Sequence, residues 1–250
     1  MSTAAPLTGR RALVTGGSRG IGAETVRRLA ADGAAVAFTY SASKADADRL
    51  VADVAAKGGT AVAIQADAAD RAQVAAAVER SVAELGGLDV LVNNAAVAHM
   101  APIDEFPAEQ FDRLVAVNIG GMYWAVRTAV QHLGEGARII NIGSINADQI
   151  PSAGFSVYGL TKGAVASFTR GLARDLGPRG ITVNNVQPGP IDTDANPDNG
   201  DDFPESLKKM MALGRYGHVR DVAGVVSFLA GPESGFVTGA NWNVDGGFTV

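Results

Sequence analysis

Residues 11–22 read Arg-Ala-Leu-Val-Thr-Gly-Gly-Ser-Arg-Gly-Ile-Gly, so a short apolar run passes directly into a turn rich in glycine. Three of these glycines stand where the chain would leave a strand, turn tightly and begin a helix. Small residues there let the backbone approach a pyrophosphate, and a helix N-terminus offers unpaired N–H groups and the positive end of its dipole. Any tight strand-to-helix turn could use such glycines, but their place after the first predicted strand favours a nucleotide site. The predicted contacts are Gly16, Ser18, Arg19, Gly20, Ile21 and Gly22.

The rest of the chain repeats this change from short apolar runs to longer amphipathic ones. Several runs are apolar throughout, as expected of strands that helices cover on both faces. Strands that alternate with helices give a parallel sheet with right-handed crossovers. We therefore predict one α/β domain over residues 1–250, a Rossmann-type doubly wound parallel sheet of about seven strands. The predicted strands are Arg11–Thr15, Ala35–Tyr40, Thr60–Gln65, Leu88–Asn93, Arg138–Ile142, Ile181–Val186 and Asn241–Val244. The predicted helices are Ile21–Asp32, Lys44–Lys57, Arg71–Leu85, Pro107–Leu133, Ser156–Leu176, Glu205–Ala212 and Val219–Ala230.

The composition excludes several classes of function. The net charge of −5 argues against a nucleic-acid partner, because phosphates must be neutralised by a basic face. The chain has no cysteine and only 3 scattered histidines, so disulfides and thiol nucleophiles are excluded and no metal site is predicted. Met1–Arg10 lacks the pattern of a signal peptide, and no apolar run approaches the roughly 18–20 residues that span a bilayer. We expect a cytoplasmic protein without a membrane segment.

The end of the second predicted strand indicates which nucleotide is bound. An acidic residue there binds the ribose hydroxyls and repels a 2′-phosphate. No carboxylate occurs here before Asp46, whereas two serine hydroxyls and the amine of Lys44 are available, and Arg19 could reach the same region. These groups suit a phosphate, unless both cations are solvated surface charges, so we predict NADP(H) rather than NAD(H). The predicted contacts at this strand end are Tyr40, Ser41 and Ser43.

Asp67 follows the third predicted strand. Its carboxylate could accept a hydrogen bond from the adenine amino group, or it could cap the helix that comes next. The residues alone leave both roles open.

Ser144, Tyr158 and Lys162 carry the strongest indication of chemistry. Tyr158 and Lys162 are four positions apart and so share one face of a helix, while Ser144 follows a strand at the sheet edge where ligands bind. Hydride delivery to a carbonyl builds negative charge on oxygen, which needs a proton donor and a polarising hydrogen bond. An ammonium and an oxidised nicotinamide would lower the pKa of a phenol. We predict that Tyr158 is the general acid or base, that Lys162 tunes it and that Ser144 holds the substrate oxygen.

Each of these residues alone has a common structural explanation, but together with the glycine turn they resemble the short-chain dehydrogenase/reductase family. The resemblance covers nearly all of the chain. It departs at Ala96, where most members have glycine, and in the separation of Ser144 and Tyr158, which is one residue longer than usual. The matching motifs are Thr15–Gly22, Asn93–Ala96, Asn118, Ser144, Tyr158 with Lys162, Pro188–Gly189, Val237–Gly239 and Asp245–Gly247.

The resemblance implies further roles. Asn118 would hold a water that relays protons through Lys162, and Lys162 would also bind the nicotinamide ribose. Asp67 would contact the adenine, and Asn94 would stabilise the sheet beside the cofactor. A homotetramer, built as a dimer of dimers, is also implied. The segment after the sixth strand would pass the nicotinamide amide, with contacts from Pro188, Gly189, Ile191 and Thr193.

The loops and one helix surface yield weaker predictions. Residues 193–215 are rich in Asp, Asn, Pro and Gly, as in a substrate lid or in any surface loop. The helix Ser156–Leu176 is apolar nearly all round, which predicts a two-fold helix–helix interface or burial under the chain's own loops. The predicted pocket residues are His99, Met100, Asn146, Gln149, Ile150, Phe155, Met210 and Met211.

The function predicted from these residues is NADP(H)-dependent reduction of a small-molecule ketone or aldehyde, with a 3-oxoacyl thioester as one substrate type. An alcohol dehydrogenase working in the oxidative direction is one alternative. A non-catalytic nucleotide-binding or regulatory protein on the same fold is another. The sequence does not identify the substrate or the stereochemistry of the product.

Overall fold

The computed structural model describes residues 5–250, so the first four residues of the predicted domain lie outside the described part. The described part contains a sheet of seven strands that pair only in parallel. The strands are β1 Arg11–Val14, β2 Ala35–Tyr40, β3 Thr60–Gln65, β4 Val90–Asn93, β5 Arg138–Ile142, β6 Thr182–Pro188 and β7 Asn241–Val244. Their order is β3-β2-β1-β4-β5-β6-β7, which confirms the predicted doubly wound sheet. The chain reverses direction across the sheet between β1 and β4, and a crevice opens at the carboxyl ends of these two strands.

Helices cover both faces of the sheet. They are α1 Gly20–Ala31, α2 Lys44–Ala56, α3 Arg71–Leu85, α4 Ala108–Leu114, α5 Met122–Ala129, α6 Ser156–Leu176, α7 Asp202–Lys208 and α8 Val219–Ala230. One hydrophobic core lies under α1, α2 and α8, and a second lies under α3, α5 and α6. None of the helices in the described residues is long and apolar enough to cross a membrane.

The continuous apolar strands follow from this double covering. Successive side chains of a strand point to opposite faces of the sheet. In β1, Ala12 and Val14 belong to the first core and Leu13 belongs to the second. In β5, Ile140 belongs to the first core and Ile139 to the second. A polar residue in either series would therefore be buried, so the sequence shows no alternation.

The limits of three predicted strands are wrong. The fourth strand begins at Val90 rather than Leu88, and the carboxylate of Asp89 instead accepts hydrogen bonds from the backbone and the guanidinium of Arg11. The sixth strand is Thr182–Pro188 rather than Ile181–Val186, because its last two residues pair with β7. The first strand, predicted as Arg11–Thr15, ends at Val14.

The predicted helix Pro107–Leu133 is divided. A π-helical turn over Val115–Gly121 separates α4 from α5. At Gly121 the chain runs against the carbonyl of Ala68, where an added Cβ would lie 2.4 Å from that oxygen. The turn therefore brings this segment close to the loop that follows β3, and periodicity alone could not predict it.

The predicted helix Glu205–Ala212 is also wrong, since α7 is Asp202–Lys208. The helix begins before Pro204, which its first turn tolerates because the N–H groups there have no partner within the helix. Two other predicted helices, Ile21–Asp32 and Lys44–Lys57, differ from α1 and α2 only at their ends, where helices fray.

Candidate active site

The glycine turn lies at the crevice between β1 and β4 and leaves no room for a side chain at Gly16 or Gly22. Gly16 has a φ of +64°, and a Cβ there would lie 2.8 Å from the Cα of Ala95. A Cβ on Gly22 would lie 2.3 Å from the carbonyl oxygen of Gly16. The following helix, α1, begins without a side-chain cap, so no side chain fills the hydrogen-bonding positions at its N-terminus. Such a terminus is suited to an anion.

Two polar residues fix the turn. Asn94, at the end of β4, donates from Nδ2 to the carbonyls of Thr15 and Gly16 at 3.0 and 2.8 Å. The backbone N–H of Asn94 in turn donates to the hydroxyl of Thr15 at 3.0 Å. From β2, the hydroxyl of Thr39 accepts from the N–H of Gly16 at 2.9 Å. The turn is thus held from both neighbouring strands.

The segment after β6 passes over the same turn. Gly189 packs against Asp245, where a Cβ would be 2.7 Å from the Asp245 Cα, so close approach requires a glycine. Ile191 is buried and pairs with Gly217. A Cβ added to Gly20 would meet the methyl group of Thr193 at 3.6 Å. The predicted residues Pro188–Thr193 therefore run from the sheet edge to the glycine turn.

The groups at the end of β2 are arranged differently from the prediction. Lys44 is bound by the carboxylate of Asp48 at 2.7 and 2.8 Å, which raises the pKa of Lys44. Arg19 makes no ion pair within residues 5–250. Tyr40 is only 8 % exposed and packs in the first core. The two predicted serines lie between β2 and α2, where Ser41 is exposed and Ser43 is half-buried. The ammonium of Lys44 is therefore already paired with a carboxylate, whereas the guanidinium of Arg19 is not.

Asp67 does not cap α3. That helix is capped by Asp70, whose side chain accepts from the N–H groups of Ala72 and Gln73. Asp67 instead forms a bidentate pair with Arg113 of α4 at 3.0 and 3.1 Å, which lowers the pKa of Asp67. The capping alternative is wrong because Asp70 stands immediately before the helix, while Asp67 is held further from it.

The structure brings Ser144, Tyr158 and Lys162 together at the carboxyl end of β5. The Lys162 Nζ lies 5.6 Å from the centroid of the Tyr158 ring and donates to the carbonyl oxygen of Ile142 at 3.1 Å. Lys162 is 3 % exposed and has no carboxylate partner among the described residues. The hydroxyl of Ser144 is bonded to the side chain of Asn146 at 3.0 Å. The longer loop after Ser144 is thus folded back on Ser144 itself.

Burial controls the protonation of this group. It raises the pKa of Tyr158 to about 12, and the neighbouring hydroxyl of Ser144 opposes this shift only in part. Burial also lowers the pKa of Lys162 to about 8. The expected lowering of the Tyr158 pKa by Lys162 does not occur in the protein alone, because desolvation of the phenolate outweighs an ammonium directed at Ile142.

Asn118 lies on the π-helical turn and is buried. Its Oδ1 accepts from the N–H of Val97, and its Nδ2 donates to the carbonyl of Val97 and to the hydroxyl of Thr161. Thr161 donates to the carbonyl of Tyr158 at 2.8 Å. Asn118 therefore joins the loop after β4 to the helix that carries Tyr158. A π-helical turn within a helix, such as the one that carries Asn118, is frequent at functional sites.

The predicted pocket residues separate into two groups. Met100, Ile150 and Met210 are exposed near the sheet edge. Met211 is 6 % exposed and packs with Leu207 in a small core cluster under the loop, so it is not a pocket residue in this structure. The remaining four are His99, Asn146, Gln149 and Phe155, and the side-chain amide of Asn146 donates to the carbonyl of Gln149.

The small-residue face of α6 is not covered by loops of the described chain. Leu160 is 58 % exposed, and Ser167 and Gly171 are also exposed. A Cβ added at Gly163 or Gly171 would meet nothing within 4 Å. Burial under the chain's own loops therefore does not explain this face.

Sequence reasoning missed three polar residues of the site: Thr39, Thr161 and Arg113. Thr161 could have been found, since it precedes Lys162 and faces the same turn of the helix as Tyr158. Arg113 and Thr39 act across elements distant in the chain, and no local pattern indicates such pairs.

Comparison with known proteins gives matches over almost the whole chain. Residues 16–249 match a family described as Enoyl-(Acyl carrier protein) reductase. A cyclic-di-GMP-binding biofilm dispersal mediator protein of Escherichia coli is 48 % identical over 241 residues, which cover 96 % of this chain and 98 % of the relative. A 3-oxoacyl-[acyl-carrier-protein] reductase of Synechocystis is 36 % identical over 247 residues, which cover 98 % of each chain. A solved short chain dehydrogenase from Burkholderia cenocepacia in complex with NADP is 47 % identical with a TM-score of 0.96, covering 98 % of this chain and 100 % of that one.

Proposed function

The chain belongs to the short-chain dehydrogenase/reductase family, and we propose that it is an NADP(H)-dependent oxidoreductase that reduces a ketone or aldehyde to an alcohol. The observation that carries the proposal is the meeting of Ser144, Tyr158 and the buried Lys162 at the sheet edge. A buried lysine and a half-buried tyrosine, both with perturbed pKa values in such a crevice, are typical of a catalytic site.

The crevice fits a dinucleotide. The bare backbone at Gly16 and Gly22, the uncapped start of α1 and the approach of Thr193 to Gly20 form a cradle that side chains would fill. When bound, NADPH supplies a hydride to the carbonyl carbon. The solved relative from Burkholderia, which is described as a complex with NADP, supports the same choice of cofactor for this chain.

Tyr158 supplies the proton. With its pKa raised to about 12, the phenol is protonated at neutral pH and so donates to the substrate oxygen as negative charge develops there. Ser144 donates a hydrogen bond to the same oxygen after turning away from Asn146.

Lys162 and Asn118 take part in returning a proton to Tyr158 after it has protonated the substrate. The Lys162 ammonium uses one N–H for Ile142, which leaves two for the nicotinamide ribose and for a water. A cavity of about 20 Å³ is lined by both Lys162 and Asn118, enough for one water molecule. We propose that this water passes protons to Tyr158 through Lys162.

The remaining predicted contacts are part of the same proposal. Asp67 binds the adenine amino group with the carboxylate that Arg113 fixes. Asn94 keeps the glycine turn in shape, and residues 188–193 hold the nicotinamide amide. We also propose that residues 193–215 form a lid over the substrate; Lys208 already ties Asp198 to Glu205 there at 2.6 and 2.7 Å. We also propose assembly as a homotetramer, and the open face of α6 supports one of the two interfaces that a dimer of dimers needs.

The test is the loss of NADPH absorbance with a panel of ketones, aldehydes, ketoesters and a 3-oxoacyl thioester, with NADH run in parallel. Turnover with NADPH and weaker turnover with NADH support the proposal. Tight binding of NADPH without turnover of any carbonyl class contradicts the catalytic part.

A second candidate function is nucleotide-dependent regulation. It is favoured by similarity to the Escherichia coli protein whose name describes cyclic-di-GMP binding. Calorimetric titration with cyclic-di-GMP tests it directly. Binding with a defined stoichiometry that persists in Tyr158→Phe supports this role, and absence of binding excludes it.

A further inference from the structure

The hydroxyl of Ser144 is held by a tight turn that the chain forms directly after β5. A turn of 3-10 helix over Ile145–Ala147 begins at Ser144. The Ser144 hydroxyl oxygen accepts from the backbone N–H of Asn146 at 3.1 Å, and the same hydroxyl donates to Asn146 Oδ1 at 3.0 Å. A hydroxyl has one hydrogen to donate, so the donor of Ser144 is already in use.

The side-chain amide of Asn146 has one defined orientation. Its Nδ2 donates to the carbonyl oxygen of Gln149 at 3.1 Å, so Oδ1 is the end of the amide that faces Ser144. The backbone N–H groups of Asp148 and Gln149 both donate to the carbonyl of Ile145, which closes the turn. Asn146 is half-buried and therefore presents a fixed hydrogen-bond acceptor beside the Ser144 hydroxyl.

A buried glutamine anchors this turn to the sheet. Gln187 of β6 is 0 % exposed, and its Nε2 donates to a carboxylate oxygen of Asp148 at 2.6 Å. The same amide donates to the side chain of Asn243 in β7 at 2.9 Å and accepts from Asn185 at 3.0 Å. Because both ends of the Gln187 amide are bonded, the turn and its Asn146 acceptor are held in place against two strands.

Reduction of a carbonyl requires Ser144 to change its partner. When the Ser144 hydroxyl donates to the substrate oxygen, Asn146 Oδ1 loses its only donor among residues 5–250. A partly buried acceptor that loses its donor costs free energy unless another donor replaces it. A donor carried by the substrate itself, next to the carbonyl, would restore the lost hydrogen bond.

We propose that Asn146 selects substrates with a hydroxyl on the carbon next to the carbonyl, that is, α-hydroxy ketones. The proposal rests on the proposed function, since it concerns the substrate of the same site. Ser144 Oγ and Asn146 Oδ1 are 3.0 Å apart, so the two substrate oxygens that they bind must lie close together, as oxygens on adjacent carbons do. A neutral hydroxyl suits the neutral Asn146 amide better than an ammonium, whose burial against an uncharged partner is costly.

The product of such a reaction is a 1,2-diol. The carbonyl carbon accepts the hydride of NADPH while the carbonyl oxygen takes the proton of Tyr158, so the ketone becomes an alcohol and NADP⁺ remains. The α-hydroxyl keeps its own proton, which it donates to Asn146, and its carbon is not oxidised. Asn146 is therefore a specificity-determining residue that takes no part in the transfer of hydride or proton.

The test compares three ketones that differ in one group: hydroxyacetone, methoxyacetone and butanone. Methoxyacetone keeps the electron-withdrawing oxygen without an O–H, and butanone has a methyl group in place of the hydroxyl. With NADPH and the wild type, we expect kcat/KM to be roughly tenfold higher for hydroxyacetone than for the other two, the effect of one hydrogen bond. The α-hydroxy, α-methoxy and α-methyl derivatives of acetophenone repeat the comparison on a larger apolar ketone.

Asn146→Leu removes the acceptor at nearly constant volume. It should lower kcat/KM for hydroxyacetone to the value for methoxyacetone, and it should not lower the value for butanone, since Ser144 no longer gives up a bond to Asn146. The matched control is Gln131→Leu, at an exposed amide that follows α5, which should keep the preference for hydroxyacetone. The comparison of ketones in the wild type decides the question even where Asn146→Leu fails to fold.

Binding gives the same comparison without turnover. In Tyr158→Phe saturated with NADPH, the fluorescence of the reduced nicotinamide reports the binding of each ketone. Hydroxyacetone should bind more tightly than methoxyacetone by a similar factor, and Asn146→Leu in the same background should remove the difference.

Three results would overturn the inference. Equal kcat/KM for hydroxyacetone and methoxyacetone in the wild type removes the α-hydroxy preference and leaves the proposed function intact, since both ketones are reduced. An equal loss for all three ketones in Asn146→Leu makes Asn146 a support for Ser144 only. No turnover of any ketone with NADPH removes the proposed function as well, and so is distinguished from the first two.

Discussion

At the scale of single residues, burial of the Lys162 ammonium lowers the stability of the fold but is needed for the proposed activity. An ammonium that is 3 % exposed, with one carbonyl as hydrogen-bond partner, has lost its hydration without gaining a counter-ion. Its pKa of about 8 expresses that loss. The protein keeps a destabilising charge beside Tyr158, which we interpret as a requirement of the reaction.

Lys162→Met is therefore expected to abolish turnover while leaving the melting temperature at neutral pH equal to or above that of the wild type. The pKa of Lys162 is lowered in the folded state, so between about 8 and the unfolded value of 10.5 the unfolded chain holds more protons. Wild-type stability should rise with pH across this window, and the advantage of the variant should shrink. Thermal unfolding at neutral and alkaline pH measures both trends.

The control for this variant is Lys57→Met, at an exposed lysine that directly follows α2. It should show no such pH-dependent difference from the wild type. A Lys162→Met protein that is much less stable at neutral pH, or that follows the wild type in parallel at every pH, would contradict the interpretation of Lys162 as an unpaired buried charge.

At the scale of elements, the join between β1 and α1 depends on the absence of side chains. Gly22→Ala would place a methyl group 2.3 Å from the Gly16 carbonyl and 2.5 Å from the Asn94 amide. The turn must then open, and we expect a loss of about 1–3 kcal/mol in the free energy of unfolding together with loss of NADPH binding. Denaturant unfolding and NADPH titration measure the two effects.

Gly134→Ala serves as the control, because a Cβ there meets nothing within 4 Å and φ is not positive. It should be neutral in both measurements. If Gly22→Ala bound NADPH with wild-type affinity, the close packing of the glycine turn would not be what shapes the cofactor site.

The elements also show what could be predicted from the sequence. The run Arg138–Ile142 predicted its strand correctly, because a strand that is buried on both faces is apolar at successive positions. The π-helical turn over Val115–Gly121 was not predicted, since it depends on contact with the loop after β3. The predicted helix Glu205–Ala212 began after Pro204, whereas α7 begins at Asp202 and holds this proline in its first turn.

For the site, the sequence predicted which residue types lie at the sheet edge and not how they pair. The partners of Asp67 and Lys44 come from side-chain geometry, and one is 46 residues distant in the chain. The Tyr158 pKa moved opposite to the expected direction because burial, which a sequence does not record, exceeds the effect of Lys162. The local sequence pattern predicts where the site residues lie, whereas their protonation depends on tertiary contacts.

At the scale of the whole molecule, the exposed face of α6 predicts assembly. Gly163 has open space around its Cα in the single chain, so Gly163→Glu should leave the subunit folded. In a two-fold helix pair the same side chain would hold the helices apart and bury a charge. We expect the variant to form smaller assemblies than the wild type in light scattering after size-exclusion chromatography, with Gly134→Glu unaffected. A wild-type protein that is monomeric at all concentrations would contradict this prediction.

The proposal that this molecule is a reductase depends most on Tyr158, and the decisive comparison is between wild type and Tyr158→Phe with a carbonyl substrate. The variant removes one hydroxyl and keeps the ring that packs beside Lys162. We predict that kcat falls by roughly a hundred- to ten-thousandfold, the usual contribution of a general acid, while the dissociation constant for NADPH is unchanged. Turnover by Tyr158→Phe at the wild-type rate would contradict the account, because the proton would then come from another group.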